Sequence, residues 1–380
     1  MNLRFILYKV LILCFLPYCL YSQSSEVEKF RHVESFRARM DSLFNSKISS
    51  DGPGAGILIR YDGQEIISKG YGLRDLETGE KIGPETNFRL GSVSKQFTAL
   101  AALSLVEEGK LRLEDTVGNI LQVPALSQIS VAQLIHHTSG LAHYEEYFFH
   151  EWDTTKIVEN KHILDWYKNE PEPEFAPGEK WEYCNGGYNL LATVVEKVSG
   201  QGFAEYARKN IFEKLGMEHT TYFNLAEPTK IEERAFCYEK SEGKWKKVDG
   251  SYLNGCLGEG AVYTSLNDFS RYAEALRNKE IFSEEVQALI FSVSPVEVPF
   301  EKEHSYSFNS GKSLGYAKGW FIDKDVAHHT GTWFGQRSMV VRGLEQPFML
   351  ALFMNLGDSD LRKELIDNTY KLFMEYLDNR

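Results

Sequence analysis

Ser92 and Lys95 have the residue types of nucleophilic chemistry, and they lie three positions apart in FRLGSVSKQFTALAALSLVEEG, residues 88–109. A spacing of three places both side chains on one face of a helix. A serine hydroxyl becomes a good nucleophile when a nearby base removes its proton. A lysine amine can be that base if its pKa falls by about 3 units from its usual 10.4. Serine is also a favoured helix N-cap, so the pair alone leaves a purely structural role open.

Two further short motifs follow much later in the chain. Tyr183 and Asn185 flank Cys184 in FAPGEKWEYCNGGYNLL, and His329–Gly331 forms the triplet His-Thr-Gly within HHTGTWFG. The Tyr-x-Asn and Ser-x-x-Lys patterns recur elsewhere, at Tyr167–Asn169, Tyr252–Asn254 and Ser241–Lys244. Each motif alone is therefore a weak signal, and their order and flanking residues carry the prediction.

The flanks resemble those of a known family. LGSVSKQFTA, LIHHTSGL, FAPGEKWEYCNGGYNLL and HHTGTWFG, in this order, resemble the motifs of the class C β-lactamase family of penicillin-recognising serine hydrolases. The likeness covers about residues 30–378, nearly all of the chain after its first segment. That family also contains D-alanyl-D-alanine carboxypeptidases, D-aminopeptidases and esterases.

The resemblance implies a catalytic role for three residues. Ser92 is the nucleophile that forms an acyl-enzyme, Tyr183 transfers the proton, and Lys95 tunes Tyr183 electrostatically. Either base would need a strongly lowered pKa, which burial can produce in a lysine and a neighbouring ammonium can produce in a tyrosine.

The resemblance also implies a set of substrate-binding residues. Asn185 holds Lys95 and the amide side of the substrate. The backbone N–H groups of Ser92 and Thr332 form an oxyanion hole, which stabilises the negative charge of the transition state. The complete implied set for substrate binding is Asn185, His329, Thr330, Gly331 and Thr332. His137, in the second motif, is expected to hold the turn before Gly140.

Several activities remain open at this point. The resemblance implies an ester or amide hydrolase, with a D-Ala-D-Ala carboxypeptidase, another D-peptidase or an esterase placed first. A class C-type β-lactamase is the alternative, although that enzyme ordinarily has lysine where His329 stands. Histidine is mostly uncharged at neutral pH and binds a substrate carboxylate less strongly. A catalytically silent penicillin-binding or sensor protein of the same fold is the third possibility.

The elements that must position these residues indicate an α+β fold. Strand patterns occur near both ends of the chain, in AGILIRY and QEIISKGYG and again in GYAKGWFID, RSMVVRG and PFMLALFMN. Helical patterns cover residues 26–47, much of the middle and about residues 359–378. We therefore predict an antiparallel sheet flanked by N- and C-terminal helices, with an inserted, mostly helical lobe. The sheet lobe spans about 26–90 and 314–380, and the helical lobe about 91–313.

Composition excludes some classes of partner. The 380 residues are 43% hydrophobic and 25% charged, as expected of a globular protein. The formal net charge of −12 argues against binding to nucleic acid. The expected partner is a small-molecule or peptide substrate, such as a peptidoglycan peptide, a β-lactam or an ester.

The first residues predict export. Arg4 and Lys9 precede the apolar run Val10–Tyr21, and Ser22 is a small residue before a polar stretch. Twelve apolar residues are too few to cross a bilayer comfortably, since about 20 are needed. We predict a signal peptide over residues 1–22, a hydrolase domain over 23–380, and a periplasmic or secreted protein. An uncleaved signal anchor is the alternative and would be the protein's only membrane attachment.

Cysteine and histidine spacing predicts neither a metal nor a cofactor. The sequence has no Cys-x-x-Cys and no His-Glu-x-x-His motif. Cys184, Cys237 and Cys256 remain after signal cleavage, too few for a disulfide scaffold. A bond between Cys237 and Cys256 stays open.

Overall fold

The structure is a computed structural model that describes residues 30–169, 171–300, 305–310 and 314–380. The predicted signal peptide, residues 1–22, lies outside these ranges. Across the described residues, no helix combines the length and the apolar composition needed to cross a membrane.

Antiparallel strands from both ends of the chain form the main sheet. The strands of the described residues are β1 (Ala55–Tyr61), β2 (Gln64–Tyr71), β3 (Leu73–Asp75), β4 (Glu80–Lys81), β5 (Phe88–Arg89), β6 (Thr221–Tyr222), β7 (Tyr238–Ser241), β8 (Lys244–Lys247), β9 (Val262–Thr264), β10 (Gly315–Tyr316), β11 (Phe321–Asp323), β12 (Val326–Trp333), β13 (Gln336–Gly343) and β14 (Phe348–Met354). The main sheet has the order β10-β11-β12-β13-β14-β1-β2, and smaller sheets are β3-β4, β5-β9-β6 and the hairpin β7-β8.

Helices fill most of the chain between the two groups of strands. They are α1 (30–47), α2 (Lys95–Glu107), α3 (Val117–Leu121), α4 (Val131–Ile135), α5 (Tyr144–His150), α6 (Asn160–Lys168), α7 (Asn185–Ser199), α8 (Phe203–Ala207), α9 (Leu266–Asn278), α10 (Glu284–Leu289) and α11 (Ser359–Asp378). Short 3-10 turns occur at Gly91–Ser94 and Pro124–Leu126, and a π-helical turn covers Arg208–Phe212.

The two ends of the chain meet in the middle of the main sheet. β1 pairs with β14 along its full length, from Ala55 opposite Met354 to Tyr61 opposite Phe348. Every residue of β14 is buried because both faces of the sheet are covered. Alternate β14 residues pack in the core beneath the terminal helices, namely Phe348, Leu350, Leu352 and Met354. The residues between them pack in the core of the helical lobe, namely Met349, Ala351 and Phe353. This explains the unbroken apolar run in the sequence.

The terminal helices cover one face of the sheet together. The ring of Phe36 in α1 stacks on Tyr376 in α11 with centroids 4.8 Å apart. Asp358 caps α11, because its side chain accepts a hydrogen bond from the N–H of Leu361. The predicted α+β fold, an antiparallel sheet flanked by N- and C-terminal helices, is therefore confirmed.

α2 is the central helix on the opposite face. It is buried without interruption from Lys95 to Leu105, and it packs against α7. A helix that is buried on all sides must be enclosed by other elements, so α2 lies in the core of the helical lobe.

The three described cysteines are free thiols, so the possible bond between Cys237 and Cys256 is not formed. Both are buried, and Cys256 Sγ lies 3.7 Å from the carbonyl oxygen of Val158 instead. Cys184 is buried as well, with its sulfur near the Leu141 carbonyl.

Candidate active site

Three separate segments bring the motif residues together. Ser92 lies in the 3-10 turn that precedes α2, and it is half-buried. Asn185 is the first residue of α7, and Tyr183 lies two residues before it. His329 lies within β12.

The turn that carries Ser92 differs from the simple helix start that was predicted. α2 begins at Lys95, and a 3-10 turn separates it from the short strand β5. Gly91 allows this turn because its φ of +55° lies in the region that side chains disfavour. A Cβ at Gly331 would lie 1.9 Å from the carbonyl oxygen of Leu90, so only glycine lets β12 approach so closely. The two glycines therefore bring β12 directly against the serine turn.

Lys95 is fully buried and contacts three oxygen atoms. Its Nζ lies 3.2 Å from Ser92 Oγ, 2.7 Å from Asn185 Oδ1 and 2.9 Å from the backbone oxygen of Glu259. An ammonium can donate one N–H to each oxygen. A neutral amine can donate to the two carbonyl oxygens and offer its lone pair to the Ser92 hydroxyl. The same geometry thus suits both forms of Lys95.

The electrostatics separate Lys95 from Tyr183. Burial lowers the pKa of Lys95 to about 8, although the nearby charges of Glu259 and Glu145 oppose this shift. Burial raises the pKa of Tyr183 well above its usual value, with a smaller opposing effect from the Ser92 hydroxyl. Near neutral pH, part of the Lys95 population is thus uncharged while Tyr183 keeps its proton. This favours Lys95 as the base, the reverse of the roles that the sequence suggested.

Tyr183 is held by aromatic and backbone contacts. Its ring lies 4.8 Å from Lys95 Nζ, and the His137 ring is 4.3 Å away. His137 Nδ1 also accepts the N–H of Cys184, which fixes the backbone between Tyr183 and the start of α7. The Tyr183 hydroxyl is buried near Ser92 without completing a hydrogen bond of normal geometry within the described residues. It can therefore contact a bound substrate.

His329 is engaged by the protein itself. It is 1% exposed, its Nδ1 lies 2.6 Å from the Thr330 carbonyl oxygen, and its Nε2 lies 3.0 Å from the Tyr316 hydroxyl. A carbonyl oxygen only accepts, so Nδ1 carries a proton and donates it to Thr330, while Nε2 contacts the Tyr316 hydroxyl. Both ring nitrogens thus already contact the protein, which does not favour direct binding of a substrate carboxylate by His329.

A cleft of about 660 Å³ opens at Ser92. Its lining residues are Ser92, Trp181, Glu182, Tyr183, Pro299, Tyr306, Phe321, His329, Thr330, Thr332, Ser359, Asp360, Arg362 and Lys363. Of the predicted catalytic and substrate-binding residues, the lining thus lacks Lys95, Asn185 and Gly331. Lys95 and Asn185 contact each other beside Ser92, and Gly331 packs against Leu90.

Arg362 contributes a positive charge to this cleft from the first turns of α11. One terminal nitrogen donates to the Gly331 carbonyl oxygen at 3.2 Å and approaches Thr332 Oγ1 at 3.4 Å, and the other lies 3.5 Å from the Tyr306 hydroxyl. These partners are neutral, so they orient the guanidinium without cancelling its charge. The arrangement suits recognition of a carboxylate.

The family model described as Beta-lactamase matches residues 33–370. The chain belongs to the beta-lactamase family. It therefore has the fold of the family's serine hydrolases, with the three motif segments around one cleft.

Individual relatives agree with membership of the beta-lactamase family. Penicillin-binding protein 4* of Bacillus subtilis (strain 168) is 29% identical over 335 residues, which are 84% of this chain and 72% of that protein. Protein flp of Staphylococcus aureus (strain MW2) is 27% identical over 82% of this chain, and the chain spans 61% of flp. The structure of D-amino acid amidase from Ochrobactrum anthropi SV3 has the same fold, with a TM-score of 0.75 at 20% identity over 90% of this chain and 99% of the amidase.

Three residues at this beta-lactamase-family site were missed by the sequence interpretation. Arg362 was treated only as part of a packing helix. Glu145 and Glu259 were not singled out, although Glu259 lies between two glycines in the otherwise apolar CLGEGAVYTS. An isolated acid in such a run was the available signal, because a buried carboxyl group needs a compensating partner.

Proposed function

We propose that this chain is an exported serine hydrolase that cleaves an ester or amide bond through an acyl-enzyme on Ser92. The observation that supports it is the 3.2 Å contact between Ser92 Oγ and the Nζ of buried Lys95, at a residue that lines the cleft. A nucleophile within hydrogen-bond reach of a base with a lowered pKa is the arrangement that acyl transfer requires.

In the first half of the reaction, neutral Lys95 removes the proton from Ser92. Ser92 Oγ bonds to the substrate carbonyl carbon, and the carbonyl electrons move onto oxygen. The N–H groups of Ser92 and Thr332 are proposed to donate to that oxyanion. Thr332 suits this role because β12 approaches the serine turn so closely that a Cβ at Gly91 would lie 2.8 Å from the Thr332 nitrogen.

The proton then leaves with the departing group. As the bond to the amine or alkoxide breaks, Tyr183 donates its hydroxyl proton, and the Lys95 ammonium replaces it. Water attacks the acyl-enzyme in the second half, with the same groups moving a proton in the opposite direction. In this mechanism Lys95 is the base, and Tyr183 passes the proton to the leaving group.

The charge in the cleft indicates the substrate class. Arg362 supplies a largely buried cation to the lining, unlike the other charged lining residues Glu182, Asp360 and Lys363. The ring nitrogens of His329 already contact Tyr316 and Thr330. This supports a substrate with a free carboxylate, such as a D-Ala-D-Ala peptide, ahead of a neutral ester. A β-lactam also carries a carboxylate, so a class C-type β-lactamase is the second candidate.

A small substrate panel tests this proposal. D-Ala-D-Ala peptides, neutral esters and a chromogenic cephalosporin are compared at one enzyme concentration. We expect turnover of the peptides, slower turnover of the esters and the slowest turnover of the cephalosporin. Fast cephalosporin hydrolysis would favour a β-lactamase, and no turnover of any compound would indicate a silent penicillin-binding protein.

Arg362→Gln is expected to reduce activity selectively on substrates with a carboxylate. A hydrogen bond to a charged group contributes about 1.5–3 kcal/mol, which corresponds to a loss of about 10- to 100-fold in kcat/KM. A neutral ester of the same acyl group should be nearly unaffected. The measurement is the ratio of the two kcat/KM values in wild type and variant.

Lys371→Gln is the matched control for Arg362→Gln, since it removes one positive charge from an exposed position of the same helix. It should leave the ratio unchanged. An equal loss on both substrates in Arg362→Gln would mean that Arg362 only supports the structure of β12.

The predicted export stays part of the proposal, with the protein placed in the periplasm or outside the cell. N-terminal sequencing of the exported protein should begin at or near Gln23. A membrane-bound product that retains residues 1–21 would show that the first segment is an anchor.

A further inference from the structure

Two carboxyl groups lie in the buried region around Lys95. Glu259 is 3% exposed, and its carboxylate accepts a hydrogen bond from the Tyr144 hydroxyl, while its backbone oxygen accepts from Lys95. Glu145 Oε1 accepts from Asn185 Nδ2 at 2.8 Å. Its other oxygen, Oε2, is buried and lacks a hydrogen-bond partner within the described ranges. Lys95 therefore shares a buried environment with two acids that do not line the cleft.

Full ionisation of Glu145, Glu259 and Lys95 would leave these three groups with one negative charge in excess. Burying an uncompensated charge costs much free energy, so such clusters take up or release protons. Burial raises the pKa of Glu259 and lowers that of Lys95, and each group's charge opposes the other's shift. The two groups are thus linked: the ionised carboxylate stabilises the ammonium, and the protonated carboxyl permits the neutral amine.

We propose that Glu259 is a positioning residue that sets the protonation state of Lys95, and thereby the pH at which Ser92 becomes reactive. This inference rests on the proposed function of Lys95 as the base for Ser92. Tyr144 contributes to the same effect on Lys95, because its hydroxyl donates to the Glu259 carboxylate and stabilises the ionised form.

The other ionisable groups around this cluster are accounted for by element. They are Arg89 on β5, whose Nε donates to the Gly260 carbonyl oxygen, Glu145 and Tyr144 on α5, Tyr167 on α6, His137 after α4, Tyr183 and Cys184 before α7, Tyr188 on α7, Cys256 in the segment that carries Glu259, and His329 on β12. Burial raises the pKa of each of these phenols and thiols and lowers the pKa of His137, so these groups are uncharged near neutral pH. Glu145 is the second acid and needs its own variant.

The test is the pH dependence of the acylation burst with a p-nitrophenyl ester in Glu259→Gln. Removing the negative charge makes the ammonium less stable, so the acid limb of the acylation rate should move to lower pH. We expect a shift of about one to two pH units, the size that a unit charge about 6–12 Å away gives at an effective dielectric constant of about 20. KM should change little, because Glu259 does not line the cleft.

Three companion variants separate this role from a general loss of structure. Glu259→Asp should return the limb toward its wild-type position. Tyr144→Phe should move the acid limb to lower pH as well, but by less than Glu259→Gln does. Glu145→Gln should also move the acid limb to lower pH. Glu196→Gln is the control, since that half-buried carboxylate accepts the N–H of Phe203 at the far end of α7 and should not move the limb.

The outcomes are distinguishable. If the wild type neither turns over nor acylates, the proposed function itself fails. If the wild type acylates normally but the acid limb of Glu259→Gln lies at the same pH as in the wild type, or at a higher pH, this inference alone is overturned. Should Glu259→Gln not fold, an unmoved limb in Tyr144→Phe overturns it as well.

Discussion

Ser92→Ala is expected to lower kcat on the order of 10⁶-fold, the size found when a serine hydrolase loses its nucleophile. The loss is large because no other group can form the acyl-enzyme, whereas binding of the substrate by the cleft is retained. Steady-state turnover of the best substrate from the panel measures it. In the wild type, a fluorophosphonate should label Ser92, and peptide mass spectrometry locates the label.

The hairpin β7-β8 provides a matched control. Ser241 and Lys244 repeat the Ser-x-x-Lys spacing, but they pair across an exposed turn outside the cleft. Ser241→Ala should be fully active and Ser241 unlabelled. Normal turnover by Ser92→Ala, or a label on Ser241, would rule out Ser92 as the nucleophile.

Lys95→Met and Tyr183→Phe should each lower the acylation rate by about 10²–10⁴-fold, as general base catalysis typically does. The double variant should lose much less than the product of the two, because both residues move the same proton and members of one unit are not additive. The measurement is a double-mutant cycle on the burst rate. Strictly multiplicative losses would instead indicate two independent, structural roles.

Thermal melts are the control for this cycle, and the two variants should differ in stability. Lys95→Met leaves the oxygens of Asn185 and Glu259 without their donor, at a cost of about 1–3 kcal/mol for each buried group. Tyr183→Phe removes a hydroxyl that makes no normal hydrogen bond to the part of the chain that the structure describes, and it keeps the ring packed on His137. Tyr183→Phe should therefore melt near the wild-type temperature, which makes it the cleaner probe of catalysis.

Local patterns were enough to predict most of the secondary structure. α11 covers Ser359–Asp378, as the helical pattern over about residues 359–378 indicated. Such limits depend on caps and on apolar spacing within one segment. The 3-10 turn at Ser92 was missed, since it depends on how closely β12 approaches the chain at Leu90.

The electrostatics of the site could not be predicted in the same way. The base assignment depends on how deeply α2 buries Lys95 and on Glu259, which follows it by 164 residues in the sequence. His329 could be recognised as a substitute for lysine, but not as a ring held by Tyr316 and Thr330. These features arise from contacts between distant segments, on which periodicity carries no information.

The pairing of β1 with β14 also constrains when the proposed active site can form. Strands this far apart in sequence form late, because a long loop must close before their contacts stabilise it. β12, which completes the cleft, lies between these strands and the sheet edge, and it follows Ser92 by more than two hundred residues. During synthesis, the serine turn is therefore made long before the strand that completes the site. A chain that ends before β12, which begins at Val326 of 380 residues, has no assembled cleft, so the proposed hydrolysis must await about the last seventh of the chain.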